Sequence, residues 1–214
     1  QESAYLSEIK PVFYYQFQTP KVTAAAGIFT RDMMHDDDYS TAFFSESERF
    51  FHNRMNGVLA QYNGKRDSYV EFVCDWEGMY STLSREKFRI LLAGRHYLDT
   101  FYYGFNYSMF HYAGQQGAPI ENVVDLQLLN PCVGVRFNAF FDFDIKLGAL
   151  LTAQRDRSFG HSWEKPCMGE FAFRISRWGL SLDERLYVGD NIHPFFYGHE
   201  LEDGTPLPYG RELY

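Results

Sequence analysis

Three cysteines in 214 residues, Cys74, Cys132 and Cys167, are too few and too scattered to staple a fold. None sits in a CxxC pair, so neither a zinc site nor a disulfide framework is supported. They read as small apolar fillers, with one disulfide and a leftover thiol as the alternative. Long hydrophobic runs are missing as well. Nowhere do the ~18 apolar residues that a spanning helix needs follow one another, and stretches such as Gly148-Ala149-Leu150-Leu151 are short and interrupted. Lys and Arg never cluster and the net charge is −8, which argues against a nucleic-acid partner. No G-x-S-x-G motif occurs. Neither His161 with Ser162 nor His111 with Ser108 has a third group that spacing would orient, so no enzyme activity is expected. The opening Gln1-Glu2-Ser3 is polar and has no leader character, so an envelope location implies a trimmed, mature form.

Aromatic residues, by contrast, are plentiful: 21 Phe, 16 Tyr and 3 Trp bring the aromatic share to 19%. Mean hydropathy is nevertheless −0.37, so apolar residues must alternate with polar ones. Extended segments rich in β-branched and aromatic residues fall at 11–18, 21–30, 54–63, 69–80, 87–96, 101–112, 132–140, 144–154, 169–177 and 180–189. Most are about ten residues long, the length of a tilted strand that crosses a bilayer. The first, with Val12-Phe13-Tyr14-Tyr15, shows no clear alternation.

The connections sort by length. Thr19-Pro20, Gly64 to Ser68, Tyr97 to Thr100, Phe141 to Phe143 and Trp178-Gly179 are tight. Arg31 to Asn53, Ala113 to Pro131, Arg155 to Met168 and the stretch from Asp190 are long, and only Ser81 to Glu86 is brief among that second set. Short turns at one end and long loops at the other suit a transmembrane barrel, with periplasmic turns and extracellular loops. Within the segments one face is greasy: Val133, Val135 and Phe137; Ile145, Leu147 and Leu151; Val70, Phe72, Cys74 and Trp76; Phe171 and Phe173. The other face carries charges of both signs. Alternation alone fits a soluble barrel turned the other way. Loop asymmetry and aromatic strand ends favour the membrane, and Tyr62, Tyr69, Tyr80, Tyr97, Phe101, Tyr102, Tyr112, Phe140, Phe141, Trp178 and Tyr187 are the expected interfacial girdles. The fold class is therefore all-β: one antiparallel up-and-down transmembrane β-barrel domain over 1–214, with about ten or more strands.

Two stretches resemble porin-like outer-membrane proteins of Bacteroidetes. One is Gly179-Leu180-Ser181-Leu182 with Leu186-Tyr187-Val188-Gly189-Asp190-Asn191 and Pro194-Phe195-Phe196-Tyr197-Gly198. The other is Tyr14-Tyr15-Gln16-Phe17 leading through Thr19-Pro20-Lys21 to Gly27-Ile28-Phe29. The resemblance implies a barrel in the bacterial cell outer membrane more than an activity. Members of that group continue beyond the stretch that here reads Gly210-Arg211-Glu212-Leu213-Tyr214, and Gly210 and Glu212 break the alternation expected of a closing strand. The expectation is then a fragment of a longer barrel or a chain in which only part of the barrel is built, and the strand count stays open.

Function is expected to reside in the inward charges. Glu71, Asp75, Glu77, Arg89, Arg95, Arg136, Lys146, Glu170, Arg174, Asp183 and Arg185 should all face the lumen. They would either line a water-filled pore whose opposed charges select solutes, or fill a solid barrel with salt bridges. The leading expectation is a porin-like channel or passive transporter with no cofactor, whose partners are outer-membrane lipid and other envelope proteins or further copies of itself. The alternatives are a filled barrel serving as an anchor or assembly subunit, and a soluble calycin-like barrel with an apolar ligand inside. His35-Asp36-Asp37-Asp38 is the densest acidic cluster, and Asp36, Asp37 and Asp38 are the candidate ligands should a hard cation such as Ca²⁺ bind. The spaced pattern of a dedicated calcium loop is missing, so a solvated extracellular loop is the expected reading. His193 and His199 are read as surface residues.

Overall fold

The computed structural model describes residues 11–44, 49, 53–117, 123–157, 162–190 and 192. They form one antiparallel sheet of ten strands in sequence order: β1 (Phe13–Gln18), β2 (Val22–Thr30), β3 (Arg54–Asn63), β4 (Tyr69–Gly78), β5 (Lys87–Leu98), β6 (Phe101–Tyr112), β7 (Val124–Asn138), β8 (Asp142–Asp156), β9 (Cys167–Arg177) and β10 (Leu180–Gly189). Two single-turn 3₁₀ helices, Arg31–Met33 and Asp36–Asp38, follow β2. Among the described residues no helix is long and apolar enough to cross a membrane.

Strict up-and-down order puts every odd-to-even connection at one end. These are the tight ones, and left-handed backbone at Arg66, Asp67, Asp99, Trp178 and Gly179 tightens them. The even-to-odd connections lie at the opposite end. The largest departure from the expected strands is β7, which begins eight residues earlier than the expected 132, so the connection before it is correspondingly shorter. Pro131 reads as a breaker because it has no N–H for a ladder. Here the Asn130 Nδ2 donates to Ala149 O at 3.1 Å, beside the position where Pro131 cannot.

The sheet is strongly curled. Tyr39 Oη donates to Glu71 of β4 at 3.1 Å, while Tyr39 O accepts from Arg185 Nη1 of β10 at 3.3 Å. Strands β4 and β10 are six neighbours apart, about 29 Å across a flat sheet, far beyond the span of one tyrosine. The sheet therefore wraps around the segment 31–44. Among the described residues no ladder joins β1 to β10, so the sheet is not closed.

Curling gives it an inner and an outer face, the outer one bearing exposed apolar side chains and the inner one both apolar and charged residues. On the outer face Val133, Phe137, Leu151 and Phe171 are exposed, Leu147 is 58% exposed, and Ile145 and Phe173 are half-buried. The buried apolar cluster lies inside, where Tyr39, Ala42, Phe43 and Phe44 of the inserted segment meet Phe29, Met55, Leu59, Val73, Leu91 and Phe110 from the strands.

Five residues expected in the interfacial girdles belong inside. Tyr69, Tyr97, Tyr102, Tyr112 and Tyr187 are buried, whereas Tyr62, Tyr80, Phe101, Phe140 and Trp178 are exposed. Being near a strand end does not decide which face a side chain takes; parity along the strand does. The three cysteines are free thiols, with Cys132 buried, Cys74 half-buried and Cys167 exposed.

Candidate functional site: the polar inner face

Alternation brings the expected charges to one face, and the segment 31–44 supplies many of their partners. Glu71 is fully buried on β4. It accepts from Gln61 Nε2 at 2.6 Å, the backbone N–H of His35 at 2.9 Å and Tyr39 Oη at 3.1 Å. A buried carboxylate with three donors has its lone pairs satisfied. The His35 ring stacks on Tyr69 with centroids 3.7 Å apart. Burial, and then the Glu71 charge, push the Tyr39 phenol well above its ordinary pKa, so it remains a donor.

Arg95 on β5 meets Asp38 at 2.7 Å and lies 4.5 Å from the centre of the Tyr102 ring. On β8 and β9, Lys146 and Glu170 pair at 3.2 Å. Asn130 Nδ2 also donates to Glu170, at 3.0 Å, and Tyr187 Oη does so at 3.3 Å. Gly148 makes room for this group, because a Cβ there would stand 2.8 Å from Asn130 Nδ2 and 3.0 Å from Glu170 Oε2. Tyr187 Oη in turn hydrogen-bonds Ser40 and Thr41 of the inserted segment. Asp75 is buried and accepts from the Asn56 N–H at 2.8 Å. Arg89 is buried, pairs with Glu77 at 3.2 Å and lies 5.4 Å from the Phe44 ring centre.

Arg136, Arg174 and Asp183 occupy the same face but remain open. Arg136 forks onto Asp144 through Nε at 3.0 Å and Nη2 at 2.8 Å, and Arg174 lies 3.3 Å from Asp183. Arg136 and Arg174, with Asp142, Asp144, Ser176 and Ser181, line a cleft of about 490 Å³ at the tight-turn end. A tighter recess of about 50 Å³ shares Arg136, Asp144 and Arg174 and runs to Asp38, Arg95, Lys146 and Arg185. The inner face is thus packed shut around β2 to β6 and over the long-loop half of β7 to β10, and polar and open at the tight-turn end of β7 to β10.

The acidic cluster departs from the expectation of a solvated loop. Asp36 pairs with Arg49 at 3.3 Å, and Asp38 is committed to Arg95. Burial raises the Asp36 pKa even though Arg49 and Arg31 pull it down. Among the described residues no three His, Cys, Asp or Glu side chains gather where they could hold a metal. Of the paired residues His161 and Ser162, only Ser162 is described, and His193 and His199 lie outside the described residues.

Tyr102, Asn130, Asp144 and Tyr187 also belong to the inner network, and sequence reasoning did not single them out as site residues. Their parity matches that of Arg95, Arg136, Lys146 and Arg185 on the same or paired strands, so the signal was present. Gln61 and Tyr39 were harder to find, because the inward fold of the 31–44 segment defines their role. No protein-family model, no curated protein and no solved structure matches the chain.

Proposed function

We propose that the chain is a transmembrane β-barrel of a bacterial outer membrane and acts as a narrow, porin-like passive channel. The observation that carries this reading is the band of apolar side chains exposed on the outside of the sheet, while the charged residues of the strands are bonded to one another inside. A contiguous apolar surface of this size is a liability in water and a requirement in lipid. A soluble calycin-like barrel needs a polar outer face instead.

The dimensions agree. On β8 the outward positions from Phe143 to Ala153 are uninterrupted by polar residues, and Arg155 ends the series. Ten rises of about 3.3 Å on a strand tilted by about 40° span roughly 25 Å, the height of a barrel's apolar band. At the turn end the outward Arg177 guanidinium lies 3.5 Å from the Phe140 ring centre and 4.4 Å from that of Trp178. A cation held among aromatic rings suits headgroup depth. Lipid does not tolerate unpaired strand edges, so this reading requires β1 and β10 to be paired in the membrane.

The cleft bounded by Arg136, Asp142, Asp144 and Arg174 is the solute path in this proposal, with opposed charges that impose a field across it. A second reading, a filled barrel that serves as an anchor, is favoured by the complete burial of Tyr39, Phe43 and Phe44 inside. Refolding into detergent and recording single-channel currents in planar bilayers separates the two. Discrete, ion-selective conductance supports the channel. A detergent-dependent barrel with no conductance supports the filled form, and a chain that stays monomeric in plain buffer refutes both.

A further inference from the structure

Outside the inner network, one ionic cluster is built on the outer face, at the long-loop end. His111 Nδ1 lies 2.8 Å from Asp125 Oδ1. Arg155 Nε reaches Asp125 Oδ2 at 2.7 Å, and Arg157 reaches the same oxygen through Nε at 3.1 Å and Nη2 at 2.9 Å. The Arg155 guanidinium also lies 4.5 Å from the Trp163 ring centre. An isolated bridge pairs Gln154 with Glu164. Gln154 faces inward, so alternation puts Trp163 beside Arg155 and Lys165 beside Ala153 on the outer side.

The position and the charge of this cluster point the same way. His111, Asp125 and Arg155 are outward residues of β6, β7 and β8, just past the apolar band. Arg155 and Arg157 share one carboxylate, Asp125, and Lys165 lies one outward position along, so the patch carries about +2 counting three cations against one carboxylate, while the whole chain carries −8. Asp125 holds both guanidiniums by Nε edges or one fork. Among the described residues the Arg155 terminal nitrogens and Arg157 Nη1 have no hydrogen-bond acceptor. Arg157 is 42% exposed at its side chain. Guanidinium donors held by a carboxylate and an indole, and turned toward headgroup depth, match the oxygens of a phosphate.

We propose that this patch is a binding site for the phosphate of a phosphorylated lipid headgroup in the leaflet at the long-loop end. The site rests on the membrane reading above. Arg155 and Arg157 grip the phosphate oxygens, Lys165 adds charge, and Trp163 lies against the upper acyl chain. Asp125 orients the two arginines.

The test uses the full chain refolded in detergent and transferred to phosphatidylcholine vesicles with or without a minor fraction of diphosphoryl lipid A. Affinity for lipid A is read by native mass spectrometry and by fluorescence quenching with a labelled lipid. Each surface cation removed should weaken binding about fivefold. Arg155→Gln with Arg157→Gln should therefore lose roughly 25-fold, and Lys165→Gln, outside the ionic cluster, about fivefold. Near-UV circular dichroism reports whether the double variant is folded; if it is not, Lys165→Gln alone decides. Equal affinity in wild type and variants overturns the site. Displacement by inorganic phosphate at a concentration matching the lipid's overturns the lipid assignment. A wild-type chain that inserts into vesicles but ignores lipid A removes only this site, whereas one that enters no vesicle removes the membrane reading itself.

Discussion

Asp36 is pulled in two directions: burial raises its pKa, and Arg49 and Arg31 lower it, with burial the larger influence. A carboxyl whose folded pKa is raised contributes stability that is present below its ordinary pKa and lost as pH rises through the folded value. Asp36→Asn should therefore raise the unfolding temperature near pH 7 and change it little at acidic pH, where wild-type Asp36 is already protonated. A thermal series followed by near-UV circular dichroism checks this, and a loss of stability at pH 7 would show that the Arg49 pair outweighs burial.

Gly134 shows a second residue-level constraint, because a Cβ there would lie 2.3 Å from Tyr102 Cζ. Gly134→Val must displace a ring whose hydroxyl bonds Asp144 at 2.7 Å, at a cost of about 1–3 kcal/mol. Adding Tyr102→Ala should recover part of that loss in a double-mutant cycle. Arg136, open to the cleft, is the selectivity residue of the proposed channel. Arg136→Glu should move the reversal potential toward cation selectivity with the fold intact. An unchanged potential would remove the β7–β10 cleft from the solute path.

Among the elements, the inserted segment 31–44 matters most. Phe44 is fully buried, with Arg31 4.2 Å from its ring centre. Phe44→Ala should cost about 3–5 kcal/mol if the sheet collapses little around the gap, and in bilayers it should raise the conductance of the proposed channel by loosening the packed half. A variant with normal stability and conductance would mean that the segment is not held where the structure has it. The strands themselves were largely legible, because period-two alternation survives wherever one face is bonded and the other apolar. Expected and observed bounds of β2, β3 and β6 agree within a residue. The start of β7 was hidden by Pro131, whose missing donor is offset by the Asn130 side chain. The inward fold of 31–44 was hidden for another reason. His35-Asp36-Asp37-Asp38 reads as solvated, and its partners Arg95 and Arg49 are remote or carry no pattern. Charged residues on strands announced the inner face, but the tyrosines that complete it were read as girdle aromatics.

At the scale of the whole molecule, the proposed channel depends on which solvent each face of the sheet meets. Tyr39 bridging β4 and β10 makes the sheet a curled shell, and the shell carries Leu147 outward and Lys146 inward on adjacent positions of β8. The most direct measurement places single spin labels at positions 146, 147, 133 and 171, with the three native cysteines replaced, in protein reconstituted into vesicles. Power saturation with oxygen and with a water-soluble nickel chelate then reports the surroundings of each label. The account predicts high oxygen and low nickel accessibility at 133, 147 and 171, deepest near the middle of the band, and low oxygen accessibility at 146. Labels at 133, 147 and 171 that are shielded from both probes or reached by nickel, with 146 open to oxygen, would contradict it.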